Sequence, residues 1–258
     1  MPRKAKRVLV LSDFHCGHEV GLTPPKWNVG VAGDPMIEYR SQLWKNFEDT
    51  LKAAGKPDVL VVNGDLIDGR GERSGSLELL VLDRRIQAQM AADIISEVDA
   101  KSVTITRGTD YHTGKEEDWE DVIAGQIGDV NIGDVRNLDV NGLIMNFRHH
   151  IGGSQTPLGR ASPLVREEVW NALWSLRGGF PLADVIVRSH VHYHSFTGGP
   201  GWLAITTPAL QGYGTRYGER RLSGLIDWGA VVFDITSKED YTWKALTYQF
   251  QHPEPVHA

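Results

Sequence analysis

A single cysteine, Cys16, stands in a chain of 258 residues. No intrachain disulfide and no cysteine-rich zinc site can form, and a reducing cytoplasm fits that usage. No apolar run approaches the ~20 residues of a membrane-spanning helix. The basic start, Met1 to Arg7, leads only into the short apolar segment Val8 to Leu11, too short for a signal-peptide core, so neither export nor a membrane partner is expected. Positive charge is not in excess: 27 Lys and Arg against 33 Asp and Glu give a formal charge of −6. That balance argues against a protein that coats DNA regardless of sequence, though not against a small basic groove. Internal repeats, low-complexity tracts and linker-like stretches are also missing, so one domain over residues 1–258 is expected.

What is present alternates between strand and helix signals. Arg7 to Leu11, Asp58 to Val62 and Ser102 to Thr106 are short apolar, β-branched runs that end in polar loops, the mark of buried strands. Asp34-Pro35 reads as a helix cap followed by a first-turn proline, and the stripe Ile37, Leu43, Trp44, Phe47, Leu51 carries the helix on to Gly55 and Pro57. Leu82, Ile86, Met90, Ile94 and Val98 step by four, which predicts a helix over about 77–98. Further helices are expected over 115–127 and 167–176, and further strands at 183–187, 193–197 and 202–206. Asn141-Gly142 marks a hairpin between 137–140 and 143–149, and 225–235 with 241–250 reads as a last hairpin. A βαβαβ first half and a hairpin-rich second half point to a layered α/β structure with mixed sheets.

Eight of the ten histidines fall in loops or at strand ends: His15, His18, His112, His149, His150, His190, His192 and His194. Asp13, Asp65 and Asp110 take matching places after the first three strands, where groups at the carboxyl ends of a sheet converge on one crevice. In an extended segment, Asp13 and His15 point to one side, as do His190 and His192. Gly64 lets the chain turn sharply so that the Asp65 carboxylate, with two oxygens to share, can approach an ion. Each piece alone has an ordinary explanation: Gly-Asp after a strand is usually turn chemistry, and exposed histidines often bind nothing. Together, in order and each at a strand end, they point to a shared metal site. Imidazole with carboxylate suits Mn, Fe, Ni or Zn better than Ca or Mg. Cys16 reads as a small buried thiol, and His18 and His194 as pocket residues. Gly212-Tyr213-Gly214 lacks the strand-to-helix context of a dinucleotide loop.

The ordered set Asp13-x-His15, Gly64-Asp65-x-x-Asp68, Arg107-Gly108-Thr109-Asp110-Tyr111-His112, His149-His150 and His190-x-His192 resembles the calcineurin-like metallophosphoesterases, from Arg7 to about Thr207. The opening Ser12-Asp13-Phe14-His15-Cys16-Gly17-His18 looks most like versions found in phage and prophage genomes. The resemblance implies a four-layer α/β/β/α sandwich with two mixed sheets and two divalent metal ions, Mn first among the candidates. Asp13, His15, Asp65 and His192 would hold one ion. Asp65, His190, one histidine of the His149-His150 pair and a residue of the third motif would hold the other. Alternation along Leu143, Met145, Phe147 favours His149 over His150.

Two motifs depart from the family pattern. Where the family places an asparagine ligand, this chain has Thr109, and where it places an acid histidine, Asp110. Either Asp110 or Thr109 completes the second metal, with His112 as the catalytic imidazole, or that half is weak. Ser189 stands where glycine is usual, and serine is small enough to be tolerated there.

The activity implied is hydrolysis of phosphomono- or phosphodiesters by a hydroxide bridging two metals, with His112 as general acid and Asp68 supporting the loop. Nucleotides, small diesters and nucleic acid are the candidate substrates. Arg70, Arg73, Arg216, Arg220 and Arg221 in expected loops allow the last without favouring it, since loop arginines are usually just solvated, and Arg70 and His194 are candidate substrate contacts. A non-catalytic module on the same fold is the rival reading, supported by the altered third motif. A metallo-β-lactamase-like site is set aside, because His190-x-His192-x-His194 comes late and lacks the Asp-His that should follow.

Overall fold

The computed structural model describes residues 4–30, 33–114, 117–154, 156–215 and 225–249. Strand β1 (Lys6–Leu11) runs into a long loop, then helix α1 (Pro35–Ala54), strand β2 (Val59–Asn63), helix α2 (Arg84–Ser96) and strand β3 (Ser102–Thr106). A one-turn helix α3 (Asp110–Thr113) and helix α4 (Trp119–Ile127) lead to strands β4 (Val130–Gly133), β5 (Val135–Val140) and β6 (Leu143–Arg148). Helix α5 (Ala161–Leu176), strands β7 (Val185–Arg188), β8 (Ser195–Gly199) and β9 (Trp202–Thr206), and the hairpin β10 (Trp228–Ile235) and β11 (Tyr241–Tyr248) complete the order.

Two mixed sheets form. The first has the order β11-β10-β1-β2-β3-β4, with β1 to β4 parallel and the last hairpin antiparallel. The second has the order β5-β6-β7-β9-β8, parallel only across β6-β7-β9. Period-2 alternation sorts the side chains. Val8, Val10, Val61, Val231 and Phe233 of the first sheet meet Leu143, Met145, Phe147, Val187 and Ile205 of the second in a core between the sheets. Each fully buried phenylalanine there contributes about 1.5–3 kcal/mol. Leu9, Leu11, Leu60 and Val62 turn the other way, onto α1, α2 and α4. Ile186 and Ala204 pack beyond the second sheet with Leu164 of α5. The result is the expected four-layer α/β/β/α sandwich.

Local chemistry explains the boundaries. The Asp34 carboxylate accepts from Met36 N–H, and Gly55 ends α1 with φ 67°. Asn141 and Gly142, with φ 56° and 92°, make the tight turn that the Asn-Gly pair demands. Helix α2 starts seven residues later than its stripe suggests, because Asp83 caps it by accepting from Arg85 N–H. Residues 77–83 instead wrap back on the first loop, with Leu80 and Val81 N–H donating to Gly17 O, and leave Leu77 and Leu82 exposed. Helix α5 begins six residues before its expected start. Helix α4 begins at Trp119; of its expected first residues, 115 and 116 lie outside the described part. Strand β4 had no sequence signal, being four residues of mixed burial at a sheet edge. No described helix is long and apolar enough to cross a membrane.

Candidate metal centre

The loops after β1, β2, β3, β6 and β7 meet at one rim of the sandwich and bring together six side chains that can ligate a metal, plus His112. Three overlapping groups have their donor atoms within 4.8 Å of one another: Asp13, His15 and His192; His15, Asp65 and His112; and Asp65, His149 and His190. His192 Nε2 lies 3.2 Å from Asp13 Oδ1 and His15 Nε2 lies 3.2 Å from His192 Nε2. His149 Nε2 lies 2.9 Å from Asp65 Oδ2, and His190 Nδ1 lies 3.8 Å from the same oxygen.

The backbone that achieves this is strained. Five of the seven non-glycine residues with left-handed φ among the described residues are Asp13 (54°), His15 (46°), Asp65 (52°), His190 (71°) and His192 (53°). Side chains with a Cβ resist that region, and its clustering marks functional geometry. It also corrects the sequence picture: Asp13 with His15, and His190 with His192, converge through left-handed turns beyond the strand ends and not through extended alternation. Gly64 has φ 82°, and a Cβ on it would sit 2.4 Å from His149 Nδ1. A Cβ on Gly108 would sit 2.2 Å from Asp65 Oδ1. Both glycines are therefore required by close approach to the centre.

Hydrogen bonds from behind fix which ring nitrogens face inward. His149 Nδ1–H donates to Asn63 O at 2.7 Å, so Nε2 faces Asp65 and Asp13. His15 Nδ1–H donates to Asp68 Oδ1 at 3.1 Å, which turns Nε2 toward His192. Such partners orient metal-binding imidazoles. His112 Nδ1–H donates to Asp68 O at 2.9 Å, and its ring stands edge-on to His15. Below the rim, Asn63 donates to Ser189 Oγ at 2.7 Å and accepts from Thr106 Oγ1 at 2.7 Å, and Thr207 Oγ1 lies 2.7 Å from both Ser189 Oγ and Ser12 Oγ. This buried chain ties the two sheets together. Ser189 is thus not a tolerated glycine replacement but a working member of it.

The electrostatics suit a cation. Burial, with His112 and His192 close by, pushes His15 well below the usual range, so it is neutral and can ligate. Burial alone would raise the Asp13 and Asp65 carboxyls; His192 outweighs it at Asp13 and His149 at Asp65, and both stay ionised. Burial would lower His149, but Asp65 and then Asp13 lift it to about 9. That proton stands where a metal charge would stand. Both Asp13 oxygens and His149 Nε2 are buried without a partner in hydrogen-bonding geometry, an arrangement that is costly unless something else meets them. The donor set of carboxylates and imidazoles fits divalent ions of the first transition row or zinc.

Some expected residues lie elsewhere. Asp110 is exposed and belongs to none of the three groups. It opens α3, and a helical turn sends residues two apart in nearly opposite directions, so bringing His112 in carries Asp110 out. Thr109 is the one that reaches Asp65: its N–H donates to Oδ1 at 2.7 Å and its hydroxyl lies 3.1 Å from the same atom. His150 is exposed and packs on His190 at 4.7 Å between ring centres. His194 donates from Nδ1 to Thr206 O and rests against Phe196 and Trp243, outside the three groups. His18 is buried and accepts from Val20 N–H. Arg70 is exposed near the rim. Arg216, Arg220, Arg221 and the Arg73 side chain lie outside the described residues. Sequence reasoning missed Glu120 of α4, fully buried, whose Oε1 accepts from Gly108 N–H at 3.3 Å. A lone glutamate in a helix gives no sequence signal.

Residues 6–108 match the family model described as Calcineurin-like phosphoesterase. Among solved structures, Vacuolar Protein Sorting 29 from Cryptosporidium parvum superposes with a TM-score of 0.50 at 13% identity, over 96% of this chain and 100% of that one. A novel archaeal phosphodiesterase gives 0.49 at 15% identity, over 93% of this chain and 99% of that one. At 13% identity the likeness to the Cryptosporidium parvum protein is one of fold. No curated protein matches the sequence. Residues 6–108, the stretch that supplies Asp13, His15, Asp65 and Asp68, are thus similar to the calcineurin-like phosphoesterase model.

Proposed function

We propose that the protein is a metal-dependent phosphoester hydrolase that holds two divalent ions. Asp13, His15 and His192 take one ion, His149 and His190 take the other, and Asp65 lies between. The observation that carries this reading is the convergence on one point of the rim of ligand atoms that face one another, Asp13 Oδ1, Asp65 Oδ2 and Nε2 of His149 and His192. Two bound ions would clamp a phosphate and lower the pKa of a water between them. Asp68 keeps the His15 ring turned to its ion. His112, anchored through Nδ1 on Asp68 O, keeps Nε2 available to carry a proton to the leaving oxygen. Arg70, exposed in the loop that follows Asp68, is the candidate to meet phosphate charge. The substrate class is nucleotide, small diester or nucleic acid, and Mn is the expected metal because the ligand set is rich in imidazole.

The second reading is a metal-binding module without turnover. It is favoured by Thr109, whose N–H and hydroxyl already occupy Asp65 Oδ1 where the family pattern has an asparagine. One experiment separates the two. Chelated protein is reloaded with Mn or Mg and assayed against nitrophenyl diesters, nucleotides, single strands and duplexes. Turnover with Mn above Mg supports the hydrolase. Metal uptake without turnover on any substrate supports the module, and full activity with Mg alone overturns the imidazole-based site.

A further inference from the structure

Helix α5 is turned the wrong way out. Its inner side contributes Pro163 and Leu164 to the buried core. Its outer side presents Val165, Val169, Leu173 and Leu176 to solvent, and beside them Trp170, 52% exposed, and Trp174, 47% exposed, stand over a groove lined by Val135, Asn146, Arg148 and Phe180. A surface helix ordinarily puts its apolar stripe inward and its charges outward. Phe180 and Leu182, exposed just beyond the helix, extend the same face. Together these side chains expose on the order of 800 Å², above the few hundred Å² usual for the largest apolar patch of a monomer and close to what each partner of a stable interface buries. The two tryptophans, and the exposed Arg166 and Arg177 between them and the aliphatic residues, are also residue types enriched at interfaces.

We infer that this face is covered by a second copy of the same chain, α5 against α5. The aliphatic positions 165, 169, 173 and 176 lie along one ridge at helical spacing. Such a ridge is complementary to itself under a twofold axis, in which each helix runs antiparallel to its mate and ridge packs into groove. The two tryptophans flank the ridge and close over the partner's aliphatic side chains. None of these residues belongs to the metal centre, so association and metal binding are separable.

The test is the solution mass of the full chain by light scattering over a micromolar range, with circular dichroism to check the fold. The native protein should run at twice the monomer mass, and the double variant Trp170→Glu with Leu173→Glu at the monomer mass with an unchanged spectrum. Because Cys16 is buried, an introduced thiol reads proximity without a background and in an otherwise native interface. Leu173→Cys should cross-link between chains under mild oxidation, and Lys45→Cys, exposed on α1 in the opposite outer layer, should not. A native protein that stays monomeric throughout, whether or not it then adheres to lipid vesicles, overturns the proposal. So does a dimer that survives both acidic substitutions, or equal cross-linking from the two thiol positions.

Discussion

In the half of the centre made by Asp13, His15 and His192, the carboxylate faces only other ligand side chains, with His192 Nε2 at 3.2 Å from Asp13 Oδ1. In the half made by Asp65, His149 and His190, the carboxylate is already partly used, since Asp65 Oδ1 takes both donors of Thr109. A carboxylate offers about four lone-pair positions, so Asp65 can still meet ions through Oδ2, but with less to give. In the first half a protein side chain orients a ligand ring from behind at His15, through Asp68. The second is shaped by three protein contacts, Thr109 on Asp65, Asn63 on His149, and Glu120 on Gly108. The difference teaches that the two carboxylates are not equivalent: Asp13 faces only other ligand side chains, whereas Asp65 already gives one oxygen to the protein.

The largest effect should come from removing Asp65, proposed above to lie between the two halves. Asp65 belongs to two of the three ligand groups and Asp13 to one. Asp65→Asn should empty both positions and lower metal affinity beyond the ~10–100-fold that follows loss of a partner orienting a ligand. Asp13→Asn should mainly empty the first. Elemental analysis of both variants after dialysis decides: full occupancy in the Asp65 variant ends its bridging role, and equal emptying by both would mean that the halves do not exist as separate sites.

A smaller and more selective loss is expected at His112, which touches the first half through its edge-on contact with His15 and the loop of the second through Asp68. An alkoxide leaving group needs a proton and a nitrophenolate does not. His112→Ala should therefore cost about 10²–10⁴ in rate on nucleoside or alkyl esters, the size of acid–base catalysis, and much less on nitrophenyl esters. Equal losses on both would assign His112 to metal binding or positioning instead.

The sequence disclosed more of the centre than of the elements around it. Val8 to Leu11 and Val59 to Val62 are legible as strands because a buried parallel strand is apolar on both faces, and the polar residues that follow them are legible as a rim because strand ends converge. What stayed hidden depends on tertiary context. The left-handed φ of Asp13 and His15 is imposed by backbone bonds from Asp13 N–H to Gly64 O and from His15 N–H to Asp65 O, partners about fifty positions away. The true start of α2 turns on Asp83, one capping carboxylate inside a longer leucine and isoleucine stripe. Asp110 looked equivalent to Asp13 and Asp65 by position, but the single turn of α3 reverses its direction. Ser189 looked like a small replacement, and only its contacts with Asn63 and Thr207 reveal its use.

The mildest effect, and the one most specific to the second half, belongs to Glu120. It is fully buried, takes the Gly108 N–H on Oε1, and leaves Oε2 without a partner. Burial, and then the charge of Asp65, push its carboxyl up to about 8. The folded protein therefore keeps a proton that the unfolded chain has released once pH passes the ordinary glutamate value of 4.5. Where the native state binds more protons than the unfolded one, stability falls as pH rises. The contribution of this carboxyl is full below 4.5, declines up to about 8 and is level beyond. Glu120→Gln keeps the shape and the contact with Gly108 but has no proton to lose. Relative to the native protein, the variant should gain stability with rising pH, by on the order of 1–3 kcal/mol, the scale for a buried polar group that is not fully paired. Urea midpoints of both metal-free proteins, compared at mildly acidic pH and near pH 8, give the difference in which every other titrating group cancels. Parallel pH profiles would show that Glu120 does not hold its proton in the fold, and that the loop bearing Thr109 is held in place by something other than a neutral carboxyl beneath it.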